Sequence, residues 1–220
     1  MIWNPSIRMP LSKASWQDNW DRNNLNSDIF QIIFLVGYLF YLFGIYGRST
    51  RRYRKSQVAA MHSRPLDIML DMVTFAGWQI IPLVYIFSPW LDFADYNLPP
   101  WAGWIGSLMF IGALTLLWRA YADLGSNWSP KIDVLVGQAL VTRGVYKTIR
   151  HPIYAGMWLW AIATPLLLHN WIAGFAFLIT FTPLYFIRVP QEEQVLLEKF
   201  GRDYGEYMLH TGRVIPRLQQ

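Results

Sequence analysis

The chain of 220 residues contains no cysteine, and only 15% of its residues are charged. Without cysteine it cannot form a disulfide, use a thiolate nucleophile, bind a metal through sulfur or carry a palmitoyl group. The low charge accompanies 54% hydrophobic residues, including 12 Trp, 12 Tyr and 13 Phe. This composition is too apolar for an ordinary soluble domain and is typical of an integral membrane protein.

Apolar stretches of about the 20 residues that a hydrocarbon core requires cover 29–47, 68–90 and 101–118. A further stretch, 155–187, is too long for one span and is interrupted at His169 and Asn170, so we expect a hairpin of two short spans. The predicted fold is an all-α, polytopic membrane bundle of about five transmembrane helices. It ends in this helical hairpin and a cytoplasmic amphipathic helix.

The amphipathic helix is predicted from Leu196, Phe200, Tyr204 and Tyr207, which recur at helical spacing in the tail. At the other end, residues 1–28 are polar and lack the cationic region that opens a cleavable signal sequence, so we expect the first span to be retained.

No internal repeat or low-complexity linker divides the chain. We therefore expect a single membrane-embedded domain over 1–220, in which 1–28 is a polar N-terminal segment, 29–121 holds three transmembrane helices and 122–220 holds the remaining elements.

Loop charges predict the orientation. Residues 48–64, between the first two spans, include six basic residues and no acidic one, whereas the next loop has Asp92 and Asp95 and no basic residue. Because basic loops stay cytoplasmic, the first loop, residues 119–154 and the tail from Arg188 should face the cytoplasm. The net charge of +5 is explained by these basic residues beside the spans, and nucleic acid is not an expected partner.

Arg150-His151-Pro152 stands at the cytoplasmic edge of the fourth span, between Tyr146 and Tyr154. Charge at a membrane edge is costly and is usually kept for function. A structural interpretation is also open, in which Arg150 anchors the topology, His151 caps the helix and Pro152 is its first residue.

Arg188 and Glu192, four residues apart, share one helix face at the edge of the fifth span. Their structural interpretation is a boundary ion pair. Glu193 points elsewhere, and we expect it to be solvated. Asp67 and Asp71 begin the second span, where a boundary charge cluster is favoured over the lining of a polar entrance.

In order and spacing, these motifs resemble the isoprenylcysteine carboxyl methyltransferase family. The resemblance covers about the last 100 residues, from Gly125 onward. It rests on Leu140-Val141-Thr142-x-Gly144-Val145-Tyr146, Arg150-His151-Pro152-x-Tyr154-x-Gly156, Arg188-x-x-x-Glu192-Glu193 and Phe200-Gly201-x-x-Tyr204-x-x-Tyr207.

The resemblance implies a membrane enzyme that uses S-adenosylmethionine (SAM), yields S-adenosylhomocysteine and lacks the Rossmann fold, whose Gly-x-Gly-x-x-Gly is not found here. By this resemblance, 122–220 is the SAM-binding and catalytic region, Arg188 is the catalytic residue facing the acceptor, and Glu192 closes the SAM pocket. The implied lining of that pocket is Gln138, Ala139, Leu140, Val141, Tyr146, His151, Pro152, Ile153 and Tyr154.

The expected reaction is carboxyl O-methylation of an isoprenylcysteine-like or other lipophilic acceptor, with membrane lipid as surroundings and no signal of oligomeric state. Phospholipid N-methylation and small-thiol S-methylation stay open, since phospholipid methyltransferases share a similar Arg-His-Pro and Glu-Glu arrangement. An NADPH-dependent sterol-type reductase and a non-enzymatic scaffold, associating through Gly103 and Ser107, are less favoured alternatives. The short chain favours a prokaryotic inner membrane, with the active site facing the cytoplasm.

Overall fold

In a computed structural model, which describes residues 28–54, 58–61, 64–130 and 132–217, most of the chain is helical. In chain order the elements are α1 (Asp28–Tyr53), β1 (Val58–Met61), α2 (Pro65–Phe87), α3 (Pro100–Leu124), β2 (Asp133–Leu135), α4 (Pro152–Leu168), α5 (Trp171–Phe200) and α6 (Arg202–His210). Short 3₁₀ helices cover Pro89–Ala94, Gly125–Asn127 and Gly144–Lys147. The polar N-terminal segment lies outside the described residues, apart from its last residue.

Within the described residues, four helices are long and apolar enough to cross a membrane, namely α1, α2, α3 with its 3₁₀ extension, and α5. Helix α4 is apolar but has only 17 residues. The predicted all-α, multi-pass membrane fold is confirmed, with a small two-stranded sheet added to it. The prediction of two short spans was wrong for α5, which runs for 30 residues and carries Arg188 and Glu192 on one continuous helix.

The connections between helices meet at two ends of the bundle. Strand β1, between α1 and α2, pairs antiparallel with β2, between α3 and α4. At the other end, Asp95 in the α2–α3 connection forms an isolated bridge with Asn170 in the α4–α5 turn. The two loops predicted to be cytoplasmic therefore lie together, and the acidic loop lies with the turn of the hairpin.

Buried His169 and Asn170 form the α4–α5 turn. His169 adopts a left-handed conformation with φ of 46°, which ends α4. The side-chain oxygen of Asn170 accepts hydrogen bonds from the amides of Ile172 and Ala173 at 3.0 and 2.9 Å, so it caps α5. Its amide nitrogen donates to Asp95 Oδ1 at 2.7 Å, which ties the turn to the neighbouring loop.

The core is aromatic and closely packed. The Trp160 indole is buried, with ring contacts to Phe34, Tyr41 and Trp78. Helices α3 and α4 approach closely at glycine, because a β-carbon on Gly156 would stand 2.7 Å from Leu117 Cγ.

The small residue pair considered above for helix association packs within this chain. A β-carbon on Gly103 would lie 2.1 Å from the Phe30 ring of α1. Ser107 returns its hydroxyl to the Gly103 carbonyl at 2.8 Å. Gly103 therefore makes room for α1 rather than for a second molecule.

The tail does not form one amphipathic helix. Helix α5 ends at Phe200, and Gly201 has φ of 53° and ψ of −124°, a conformation outside the helical region. Leu196 and Phe200 thus belong to α5, whereas Tyr204 and Tyr207 belong to α6. The glycine breaks the predicted helix because it alone adopts this backbone conformation without strain.

Candidate functional site

Helices α1 to α5 and the segment between α3 and α4 enclose a cavity of about 550 Å³. Sites for small molecules span roughly 300–1,000 Å³, so this cavity is of the right size for one. Aromatic and aliphatic side chains of the lining include Tyr38, Tyr41, Leu42, Phe75, Trp78, Tyr121, Met157 and Leu184. Polar and charged ones include Asp71, Asn127, Gln138, Arg150, His151, Arg188 and Glu192.

Two π-helical turns contribute to this lining. The turn Phe40–Tyr46 interrupts α1, and the turn Ala76–Ile80 interrupts α2. Tyr41 and Tyr46 come from the first turn and Trp78 from the second. Because an extra residue per turn widens a helix locally and rotates its side chains, such turns are frequent at functional sites.

Arg188 lies at the centre of the polar part of the cavity. Its side chain is only 9% exposed. The guanidinium donates from Nη1 to Asp71 Oδ1 at 2.6 Å, from Nε to Glu192 Oε1 at 3.2 Å and from Nη2 to the Pro130 carbonyl at 2.7 Å. The ion pair expected between Arg188 and Glu192 is confirmed, but it is one contact of three.

Glu192 links α5 to α4. Its Oε1 accepts a hydrogen bond from the Tyr154 hydroxyl at 2.6 Å, as well as the one from Arg188. Its Oε2 lies 3.9 Å from His151 Nδ1. With a side chain 23% exposed, Glu192 keeps part of its surface free toward the cavity.

Glu193 is buried and forms a second cluster beside the first. Its Oε1 accepts from Arg150 Nε at 2.7 Å, and it also contacts His151 Nε2 at 3.2 Å and Arg213 Nε at 3.1 Å. Arg213 makes a further contact through Nη2. A carboxylate buried with this many cationic and N–H partners is satisfied in every direction.

The segment after α6 is pinned to this second cluster. The amides of Arg150 and His151 donate to the carbonyls of Gly212 and Arg213, each at 2.9 Å, and Arg150 Nη1 donates to the Thr211 carbonyl at 2.7 Å. The hydrogen bonds to Glu193 raise the pKa of the Arg213 guanidinium. The residues that follow α6 thus brace the start of α4.

The segment between α3 and α4 is folded by side-chain contacts. Gln138 Nε2 donates to the Asn127 carbonyl at 3.1 Å, and its Oε1 accepts from Lys199 Nζ at 2.8 Å. The Ala139 amide donates to Asn127 Oδ1 at 2.7 Å. These bonds hold the loop against α5.

Tyr146 faces the cavity from the 3₁₀ helix before α4. Burial raises the pKa of its hydroxyl well above the ordinary value, so the hydroxyl stays protonated at neutral pH and is a potential donor. The Tyr207 hydroxyl donates to the Tyr146 carbonyl at 2.6 Å, which fixes this turn against α6.

Comparison with known proteins adds to this geometry. The model of the isoprenylcysteine carboxyl methyltransferase (ICMT) family matches residues 105–198. Over this region the chain is similar to that family. The matched residues run from α3 to near the end of α5, so they include Tyr146, His151, Arg188 and Glu192.

Two similar proteins are named protein-S-isoprenylcysteine O-methyltransferases. The chain is 32% identical over 141 residues to human protein-S-isoprenylcysteine O-methyltransferase, covering 60% of this chain and 50% of the human protein. It is 39% identical over 77 residues to protein-S-isoprenylcysteine O-methyltransferase B of Arabidopsis thaliana, covering 35% of this chain and 39% of that protein. The chain thus spans about half the length, or less, of these two relatives.

A solved structure of the eukaryotic intramembrane Ras methyltransferase ICMT is also similar. The similarity has a TM-score of 0.48 at 27% sequence identity, over 71% of this chain and 54% of that one.

Most of the residues that the resemblance to the ICMT family assigns to the site lie together. Gln138, Tyr146, His151, Pro152, Ile153, Tyr154, Arg188 and Glu192 all line the cavity. Ala139, Leu140 and Val141 lie in the adjacent segment and are not among the lining residues. The assignment of all these residues to SAM or to the acceptor stays a prediction.

Three interpretations of charged residues were wrong. Glu193 is not solvated, since its side chain is 6% exposed. His151 does not cap α4 with its side chain but directs its ring to Glu193. Asp71 is not merely a boundary charge, because it pairs with Arg188 and lines the cavity. An acidic residue inside an apolar span is costly, and that cost was the signal that could have identified Asp71.

Proposed function

We propose that this chain is an integral membrane enzyme that transfers a methyl group from SAM to the carboxylate of an isoprenylcysteine-like acceptor. The observation that carries the proposal is the cavity itself, in which the buried Arg188 guanidinium stands among carboxylates and hydroxyls beside an aromatic wall. The match of residues 105–198 to the ICMT family model supports it, and the two named relatives are protein-S-isoprenylcysteine O-methyltransferases.

The residues present fit SAM in the chemistry of their groups. SAM carries a cationic sulfonium, an amino acid end and an adenine base. The Glu192 carboxylate suits a cation or an ammonium group, and the rings of Tyr146 and Tyr154 suit a sulfonium or a base. Gln138 and His151 offer polar groups beside them. When bound, SAM would supply an electrophilic methyl group on sulfur.

Methyl transfer of this kind depends mainly on holding donor and acceptor in line at about 3–3.5 Å. A carboxylate is ionised at neutral pH and needs no general base. The role we assign to Arg188 is to hold that carboxylate, since a planar guanidinium matches it with two parallel hydrogen bonds. Trp78, Trp128 and Leu184 in the lining would limit the access of water to the reacting groups.

The aromatic wall suits a lipid chain on the acceptor. Leu42, Phe75, Trp78 and Leu184 line the cavity from three different helices, α1, α2 and α5. Phe75 is also exposed on the side of the bundle, at 49%. The wall therefore lies close to a helix face that lipid would cover. An acceptor anchored in the bilayer would lie along this wall with its polar end toward Arg188.

For the membrane we propose a prokaryotic inner membrane with the site facing the cytoplasm. The paired loops β1 and β2 lie at the end where Arg48, Arg51, Arg54 and Arg64 flank the spans. Basic residues mark the cytoplasmic side, where SAM is made available.

The direct test is to incubate purified protein in detergent with radiolabelled SAM and three acceptors: N-acetyl-S-farnesyl-L-cysteine, phosphatidylethanolamine and an alkyl thiol. We expect label on the farnesylated carboxylate, released as methanol by mild base because the product is an ester. The matched control is Arg188→Ala, which should lose turnover while SAM affinity by calorimetry is largely kept. Label on the amine or the thiol alone would refute carboxyl methylation, and absence of SAM binding would refute the proposal as a whole.

A further inference from the structure

Asp71 occupies a position at Arg188 that a substrate carboxylate would need. Its Oδ1 lies 2.6 Å from Arg188 Nη1, a charge-assisted hydrogen bond of optimal length. Asp71 comes from α2, whereas Arg188 and Glu192 share α5, so this contact joins two helices across the cavity.

Each nitrogen of the Arg188 guanidinium already donates one hydrogen bond. One of its donors goes to each of Asp71, Glu192 and the Pro130 carbonyl. A carboxylate that binds with two parallel hydrogen bonds uses two neighbouring nitrogens, and each nitrogen of Arg188 already has an acceptor. Two of its five N–H groups remain, one on Nη1 and one on Nη2. A carboxylate arriving at these two would stand directly beside the Asp71 oxygen.

Asp71 is the partner most readily displaced. Its side chain is 43% exposed, compared with 23% for Glu192, so water can solvate it once it is released. Glu192 is also held by the Tyr154 hydroxyl, and the Pro130 oxygen belongs to the backbone. Asp67, the other carboxylate of α2, is bound by the Arg64 amide at 2.7 Å and does not compete for Arg188.

We infer that Asp71 is an internal stand-in for the acceptor carboxylate: it neutralises Arg188 in the empty site and leaves the guanidinium when the acceptor binds. The inference rests on the proposed function, and it makes Asp71 a residue that sets acceptor affinity. Without Asp71, the buried guanidinium would keep Glu192 as its charged partner but lose its shortest ion pair, so the stand-in helps to stabilise the empty site. Like-charge repulsion between the two carboxylates then drives the exchange and lowers affinity for acceptors that carry a carboxylate.

The test compares two ligands that differ by one methyl group and by the charge that it removes, N-acetyl-S-farnesyl-L-cysteine and its methyl ester. Binding to purified protein in detergent is followed by tryptophan fluorescence, since Trp78 and Trp128 line the cavity. In Asp71→Asn the carboxylate ligand should bind about fivefold more tightly than in the wild type, the scale of a partly exposed ion pair. The ester should change by less than about twofold.

Asp203→Asn is the matched control, since it removes the same charge from an exposed position of α6 and should shift neither ligand. In turnover assays with Asp71→Asn, KM for the carboxylate acceptor should fall, whereas a residue that merely orients Arg188 would lower kcat. Asp71→Ala provides a second variant, and the ratio of the two affinities is measured within each preparation, so partial loss of fold does not obscure it.

Weaker or unchanged binding of the carboxylate ligand in both Asp71 variants would overturn the inference while leaving the proposed function intact. If neither ligand binds even to the wild type, the proposed function fails and the inference falls with it. The two failures are therefore told apart by the wild-type measurement.

Discussion

Replacing Glu193 by alanine should lower the free energy of unfolding by about 3–5 kcal/mol, the usual cost of removing one partner from a buried ion pair. Glu193 is 6% exposed and its main partner, Arg150, is 11% exposed. The variant would leave the Arg150 guanidinium buried with only the Thr211 carbonyl as a hydrogen-bond acceptor from the cluster. Arg213, at 43% exposed, would recover much of its hydration and contribute little to the loss.

The measurement is equilibrium unfolding in mixed micelles, followed by the fluorescence of the 12 tryptophans. Glu206→Ala is the matched control, because Glu206 pairs with Arg202 on the surface, with exposures of 58% and 89%. That exposed pair is four residues apart on a helix and should contribute only about 0.3–0.5 kcal/mol. A cost for Glu193→Ala no larger than that of Glu206→Ala would refute the reasoning.

A double-mutant cycle separates the interaction energy between Arg150 and Glu193 from the other energetic costs of truncating each side chain. Arg150→Ala combined with Glu193→Ala should cost less than the sum of the two single variants, by roughly 0.5–3 kcal/mol, since the residues are in direct contact. The same cycle with Arg213→Ala should give a smaller coupling, because Arg213 is more exposed. Equal couplings would show that burial is not what makes the Arg150 contact strong.

Three further predictions concern the cavity and its supporting loop. Glu192→Gln should raise the Kd for SAM about tenfold, as expected when a hydrogen bond to a charged group is weakened, and unchanged affinity by calorimetry would count against the proposed pocket. Arg188→Lys should lower kcat roughly a hundredfold, since an ammonium cannot hold a carboxylate in the planar geometry of the guanidinium; near wild-type turnover would contradict the assignment. Gly144→Ala should destabilise the protein more than Gly201→Ala. Both glycines have positive φ, a conformation that costs an alanine about 1–2 kcal/mol. A β-carbon at Gly144 would in addition lie 2.0 Å from the Asp123 side chain. Similar melting temperatures for the two glycine variants would refute that comparison.

The motifs identified the region of the site but not all the contacts between its side chains. Arg188 and Glu192 were expected to share a helix face, because the spacing of four residues fixes that relation on any helix. Asp71 lies 117 positions before Arg188, and no local spacing could predict their contact. The role of Asp71 required the packing of α2 against α5.

The different positions of the adjacent residues Glu192 and Glu193 were even harder to predict from the sequence. Glu192 and Glu193 have the same side chain and nearly the same sequence surroundings, but one lines the cavity and the other is buried against Arg150 and Arg213. Successive residues of a helix point about 100° apart, so the burial and the partners of each side chain depend on what packs against its side of the helix. For Glu193 that neighbour is the segment after α6, whose course depends on the break at Gly201.

The sequence by itself determined that the protein is a multi-pass helical membrane protein, since length and hydropathy decide which segments can leave water. It also determined which segments carry the ionisable groups that resemble those of the ICMT family. Only the tertiary structure decided which carboxylate faces Arg188, which one is buried beneath the cavity, and where the helices open into π-turns. Those outcomes depend on contacts between residues far apart in the chain, and such contacts form only when the helices pack together.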